Sequence, residues 1–171
     1  MRSKCERRVS SPPPLEGPLS AAARAHACWL SLWLVGLPAA TLFLAAGIGH
    51  FREGPKFYAI MKGMPLERWH PAANYITGAA ELWLGAELAI APLLGAHHAS
   101  QIARALFWLV LLMTPANINM WYNDVPFGDQ RLTYGWTGTH ALRCALQVLL
   151  LAVLHFLRIS YAAAGASSKG D

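Results

Sequence analysis

The stretch from Cys28 to Gly49, CWLSLWLVGLPAATLFLAAGIG, contains no charged residue. At ~1.5 Å of rise per residue, a helix of this length covers the ~30 Å hydrocarbon core of a bilayer. Three more apolar segments follow, so the expected spans lie at about 28–50, 72–94, 102–121 and 139–158. A soluble four-helix bundle gives each helix one apolar stripe and one charged face. These segments are apolar nearly all round. Only 13% of the chain is charged, against about 25% in an average soluble domain. The expected fold is therefore all-α: an integral membrane four-helix bundle, with a short amphipathic helix or loop after the first span.

Residues 1–26, rich in Arg, Ser, Ala and Pro, cannot pack a core and read as a disordered basic tail. Residues 27–160 read as one four-span domain and 161–171 as a flexible C-terminal tail. The first span is too long, and too far from the start, for a cleavable signal peptide.

The net charge of +5 does not point to nucleic acid, because the basic residues flank the spans instead of forming one patch. Arg2, Lys4, Arg7, Arg8, Arg24, Arg104, Arg158 and Lys169 fall on the side of the termini. Arg52, Lys56, Lys62, Arg68 and Arg131 fall on the other. The positive-inside tendency then places both termini in the cytoplasm of a multi-pass protein. The three cysteines, Cys5, Cys28 and Cys144, include no Cys-x-x-Cys pair. That argues against disulfide exchange, and no metal site is expected.

Polar residues interrupt every span. With antiparallel helices, His50, Glu81, Asn117, Arg143 and Gln147 fall in the same leaflet. An ionised group at mid-membrane costs about 2.5–3.5 kcal/mol even on the lenient insertion scale, so such groups face one another. Glu81 and Arg143 are the expected ion pair, and Arg143 and Gln147 share a helix face at i and i+4. Gly78, Glu81 and Gly85 share one face of the second span. Gly36, Ala40, Phe43, Gly47 and His50 share one face of the first, where small residues let backbones approach. Glu87, Asn119 and His155 form a second tier: Glu87 facing Arg104, His155 or the membrane edge, Asn119 at the interface. His97 and His98 read as a solvated loop pair.

Within LLMTPANINMWYND, Pro115 has no N–H, so the carbonyl of Leu111 loses its helical donor. A kink there, with Asn117 nearby, would open the bundle around a polar pocket. In the loop after the first span, Phe57, Ile60, Met61 and Met64 recur at helical spacing. They suit a short helix that anchors on the membrane surface or lids the pocket.

Four motifs in order, GIGHF with GPKFYAI, ITGAAELWLGAELAIAP, TPANINM and LRCALQ, resemble the DoxX and DoxX-like family of small membrane proteins over about residues 40–155. Ala145 stands where the family often has proline, and Lys62-Gly63 where prolines are frequent. The resemblance implies a four-helix membrane protein. It also implies a link to quinone-dependent oxidation, through the subunit that gives the family its name. It transfers no catalytic role. The expected function is an accessory or small-molecule-binding subunit without independent catalysis. Arg143 would supply charge, Asn117 and Gln147 hydrogen bonds, and Glu81 with His50 proton transfer. A quinone, not covalently held, is one ligand of suitable chemistry. The expected partners are the bilayer, another membrane redox subunit or a second copy of the chain. A small-solute permease and a purely structural, chaperone-like bundle are the alternatives.

Overall fold

The computed structural model describes residues 18–123 and 139–167. Helix α1 (Pro18–Arg52) is followed by the short α2 (Gly54–Ala59) and a 3-10 turn (Glu67–Trp69). Then come α3 (His70–Leu94), α4 (Ala96–Tyr122) and α5 (Thr139–Ser167). No strand occurs among the described residues. The stretches Leu32–Arg52, Glu67–Leu94, Ala96–Tyr122 and His140–Ala166 are each long and apolar enough to cross a membrane.

Two termini differ from expectation. Residues 18–26 continue α1 instead of belonging to a tail, and α5 runs on through 161–167. Both extensions are alanine-rich (SAAARAHA, YAAAGA), and alanine is the strongest helix former. Residues 1–17, the third loop at 124–138 and residues 168–171 lie outside the described residues, and with them the rest of the expected tails.

The second loop also differs. Gly95 alone separates α3 from α4, at φ 102° and ψ 155°. That left-handed conformation is open to glycine and strained for other residues, so the chain reverses within one residue. His97 and His98 consequently sit in the first turn of α4 and not in a loop. Pro38, Pro92 and Pro115 all lie inside helices.

Helices this apolar on every side must find their cohesion in close backbone approach. The α1–α3 seam does so. A Cβ at Gly78 would lie 2.5 Å from His50 Cβ, and one at Gly47 would lie 2.9 Å from the carbonyl oxygen of Gly78. At Gly85 the nearest atom would be Phe43 Cβ at 3.1 Å. The inward faces expected for the first two spans are the buried ones: Gly36, Ala40, Phe43, Gly47 and His50 on α1; Gly78, Glu81 and Gly85 on α3. Helix α4 packs on α5 and less extensively on α3, while α1 and α5 touch only sparsely.

The two ends of the bundle differ in kind. Toward Gly95, Leu32, Ala40, Leu88, Ala91, Ala103, Leu106, Leu154, Leu157 and Tyr161 form a packed apolar core. The Ser100 hydroxyl donates to the Arg158 carbonyl (3.0 Å) and joins α4 to α5 there. At the first-loop end, the interior is polar and hollow.

Candidate functional site

The close α1–α3 seam sets the centre of the site. Glu81 is 1% exposed and Asn74, one helical face along α3 at i−7, is 2% exposed. Opposite them stands His50 of α1. Asn74 Nδ2 donates to the His50 carbonyl (3.0 Å), so its other amide atom, Oδ1, must be the one facing the ring. His50 Nδ1 therefore donates to Asn74 Oδ1, at 2.6 Å. The second ring nitrogen, Nε2, lies 3.3 Å from Glu81 Oε2. This approach is close enough for an ion pair but off the hydrogen-bond axis, and Oε2 has no hydrogen bond.

The chemistry follows from that geometry. A buried ionised carboxylate with no compensating charge is costly. One proton on the pair removes the cost, as imidazolium with carboxylate or as imidazole with carboxylic acid. In either form the pair is neutral and the proton can pass between the two residues. Asn74 is the positioning residue: it fixes which nitrogen of His50 faces Glu81. Phe57 of α2 closes the other side, its ring centroid 4.2 Å from that of His50.

The expected pairing of Glu81 with Arg143 is corrected. Glu81 pairs with His50, while Arg143 Nη1 donates to Met120 Sδ at 2.8 Å. The reason is rotational position. Charge and depth matched the two residues, but the α1–α3 seam brings His50 to Glu81 first, and Arg143 on α5 packs toward α4. Both still line one cavity.

Gln147 and Asn117 meet as a second polar cluster, at the proline of α4. Asn117 Nδ2 donates to Gln147 Oε1 (2.7 Å). Gln147 Nε2 donates to Thr114 Oγ1 (2.6 Å) and, more weakly, to the Val110 carbonyl (3.4 Å). The Thr114 hydroxyl also donates to Val110 O (3.2 Å). The donors thus gather one residue before the carbonyl that Pro115 frees. Gln147 is engaged in joining α5 to α4 instead of pointing at a ligand. Thr114 was not anticipated, and its place one residue before Pro115 was the available signal.

Asn119 is not merely interfacial. Its Nδ2 donates to the carbonyls of Ile60 (2.8 Å) and Lys62 (3.2 Å), fastening the first loop to α4. His70 Nε2 donates to Pro65 O (3.2 Å) and holds the same loop from α3. Of the helix expected here, only residues 54–59 form, and the chain then turns. Phe57, Ile60, Met61 and Met64 line the cavity below them, so the loop is a roof.

That cavity has a volume of about 310 Å³, and His50, Asn74, Thr77, Glu81, Asn117 and Arg143 form its polar lining. A second cavity of about 510 Å³ lies between α1, α4 and α5 and is almost wholly apolar. The two share Ala46, Glu81, Met113 and Asn117, and so adjoin where the buried carboxyl stands. Both volumes fall in the usual range of small-molecule sites.

The remaining second-tier residues stand apart. Glu87 Oε2 accepts from His98 Nε2 at 2.8 Å, across the Gly95 turn, and not from Arg104 or His155. His155 Nδ1 accepts from Arg158 Nη2 (3.2 Å) at the exposed surface of α5. Among the described residues, no three His, Cys, Asp or Glu side chains gather as metal ligands would. Comparisons of the chain with family models, curated proteins and solved structures return no match.

Proposed function

We propose that the chain is a multi-pass membrane protein of the DoxX-like kind, and that it binds a small molecule through the roofed polar cavity without catalysing a reaction alone. Large apolar side chains on the outside of all four long helices support the membrane reading: Leu34 (75% exposed), Trp83 (70%), Leu112 (76%) and Val148 (67%). In water such a surface would aggregate; in lipid it is solvated. The excess of basic residues near the termini supports a cytoplasmic location for both.

One observation carries the binding reading. The buried Glu81 carboxyl, held by His50 at its Oε2, stands where two cavities meet. A purely structural clamp needs no such space, because helix interiors otherwise close-pack. Two adjoining cavities of ligand size leave room for a polar head beside the pair. A quinone-linked membrane complex suits this reading as a partner, through the family resemblance alone. The permease alternative finds no polar route toward Gly95, since the apolar core around Leu88, Leu106 and Leu154 fills that end.

The test is purification into lipid nanodiscs, followed by mass spectrometry of the retained small molecules. A species enriched over bulk lipid in the native chain and lost in Glu81→Leu is expected. The variant leaves His50 as a neutral imidazole still bonded to Asn74, so no uncompensated charge stays buried and the chain should fold. Identical small-molecule content in both proteins would remove the binding reading.

A further inference from the structure

The two adjoining cavities have opposite character, and together they describe a ligand. The polar one is closed above by the roof and its Asn119 fastening. The apolar one follows α1 from Ala46 to Leu34, about 18 Å at 1.5 Å per residue. Leu34, Leu42, Leu146 and Leu149 line it, and each is more than half exposed at the outer surface. It therefore opens sideways, between two long helices that touch only sparsely. A molecule reaches the buried carboxyl along this cleft and not through the roof.

The junction also restricts the head group. Asn117 gives one N–H of its amide to Gln147, and its Oδ1 remains an acceptor. Glu81 brings its carboxyl to the same junction, with one oxygen already against His50. An amide oxygen and the second carboxyl oxygen at one junction ask for a donor.

Resting on the binding reading above, we infer that the occupant is a single-chain amphiphile with a hydroxyl-bearing head: a long-chain alcohol, phenol or monoacylglycerol. Its head sits at Glu81 and Asn117. Its chain lies in the α1–α5 cleft, which it enters from within the bilayer.

Two photoreactive monoacylglycerols test this in nanodiscs. A long-chain probe carries a diazirine at the chain terminus, and a short-chain probe carries one beside the ester. Labelled residues are mapped by mass spectrometry, with Trp83 and Ile76 on the outer face as background. The terminal label should fall on residues 34–42 and 146–153. Leu42→Trp and Leu146→Trp, which fill the cleft from opposite walls, should each lower it by about tenfold or more. The short-chain label should fall on Met61 and Met113 and survive both substitutions. Terminal labelling no higher than background, or unchanged by the tryptophans, overturns the tail assignment. Crosslinks between two copies through the cleft overturn it too and give the groove to a dimer. Short-chain labelling that Glu81→Leu leaves intact overturns the binding reading itself.

Discussion

Helix α1 has two neighbours and treats them in opposite ways. Its seam with α3 is built on glycines from both helices, Gly47 on α1 with Gly78 and Gly85 on α3, and a single added methyl group at Gly78 would collide with His50. Against α5 it presents Leu34, Val35, Leu42 and Ala46, and leaves a cavity of about 510 Å³. The first contact fixes His50, Asn74 and Glu81 relative to one another. The second leaves their carboxyl reachable. Rigidity and access are thus separated onto two sides of one helix.

The sharpest way to break this contrast is at the seam. Gly78→Ala should cost about 1–3 kcal/mol of stability, because the clash is with the His50 Cβ and not with a flexible end. Thermal unfolding in nanodiscs measures it, and a neutral result would mean the helices are not held so close. Asn74→Leu comes next. It strips the hydrogen bond from His50 Nδ1 and leaves a buried donor, at a cost of about 1–3 kcal/mol. The same variant frees the ring, so ligand retention should fall with it.

Asn119→Ala removes two bonds to the roof and should lose about 0.5–1.5 kcal/mol. Hydrogen exchange should accelerate at residues 57–64 and stay unchanged in α3; acceleration spread over the whole chain would deny the roof its separate character. Across the α1–α5 gap, Ala39→Leu should change stability by less than about 1 kcal/mol, since it grows toward a cavity. If it matched Gly78→Ala in damage, the two faces of α1 would be alike. The smallest effect is expected for a double-mutant cycle on Glu87 and His98, whose side chains are 27% and 42% exposed. Such partly solvated pairs give about 0.2–1 kcal/mol.

Helix number, the inward faces of α1 and α3, and the shared level of His50, Glu81, Asn117 and Arg143 were legible from spacing. Small residues at i, i+4 and i+11 on α1, and at i and i+7 on α3, announce a packing face whatever lies opposite. Partner choice was not legible. Glu81 and Arg143 match in charge and depth, but depth says nothing about how far each helix is rotated. Asn74 was overlooked although Asn74, Gly78, Glu81 and Gly85 repeat at intervals of four, three and four along one face. Glu87 with His98 could not be read while residues 95–101 were taken as a loop. One glycine at positive φ folds α4 straight back onto α3 and sets those two side chains together. The alanine-rich extensions were read as tails because small and polar residues were weighed together as signs of disorder, when alanine itself favours helix.

The Asn119 side chain lies one turn beyond Pro115 on the same helix, and its amide grips two carbonyls of the first loop. Any sideways displacement of that end of α4 must drag the loop along or sever both contacts. Pro115 and Asn117 line the chamber beneath. Wall and ceiling are therefore tied by one amide, so the shape of the chamber and the seating of its cover depend on the same two bonds.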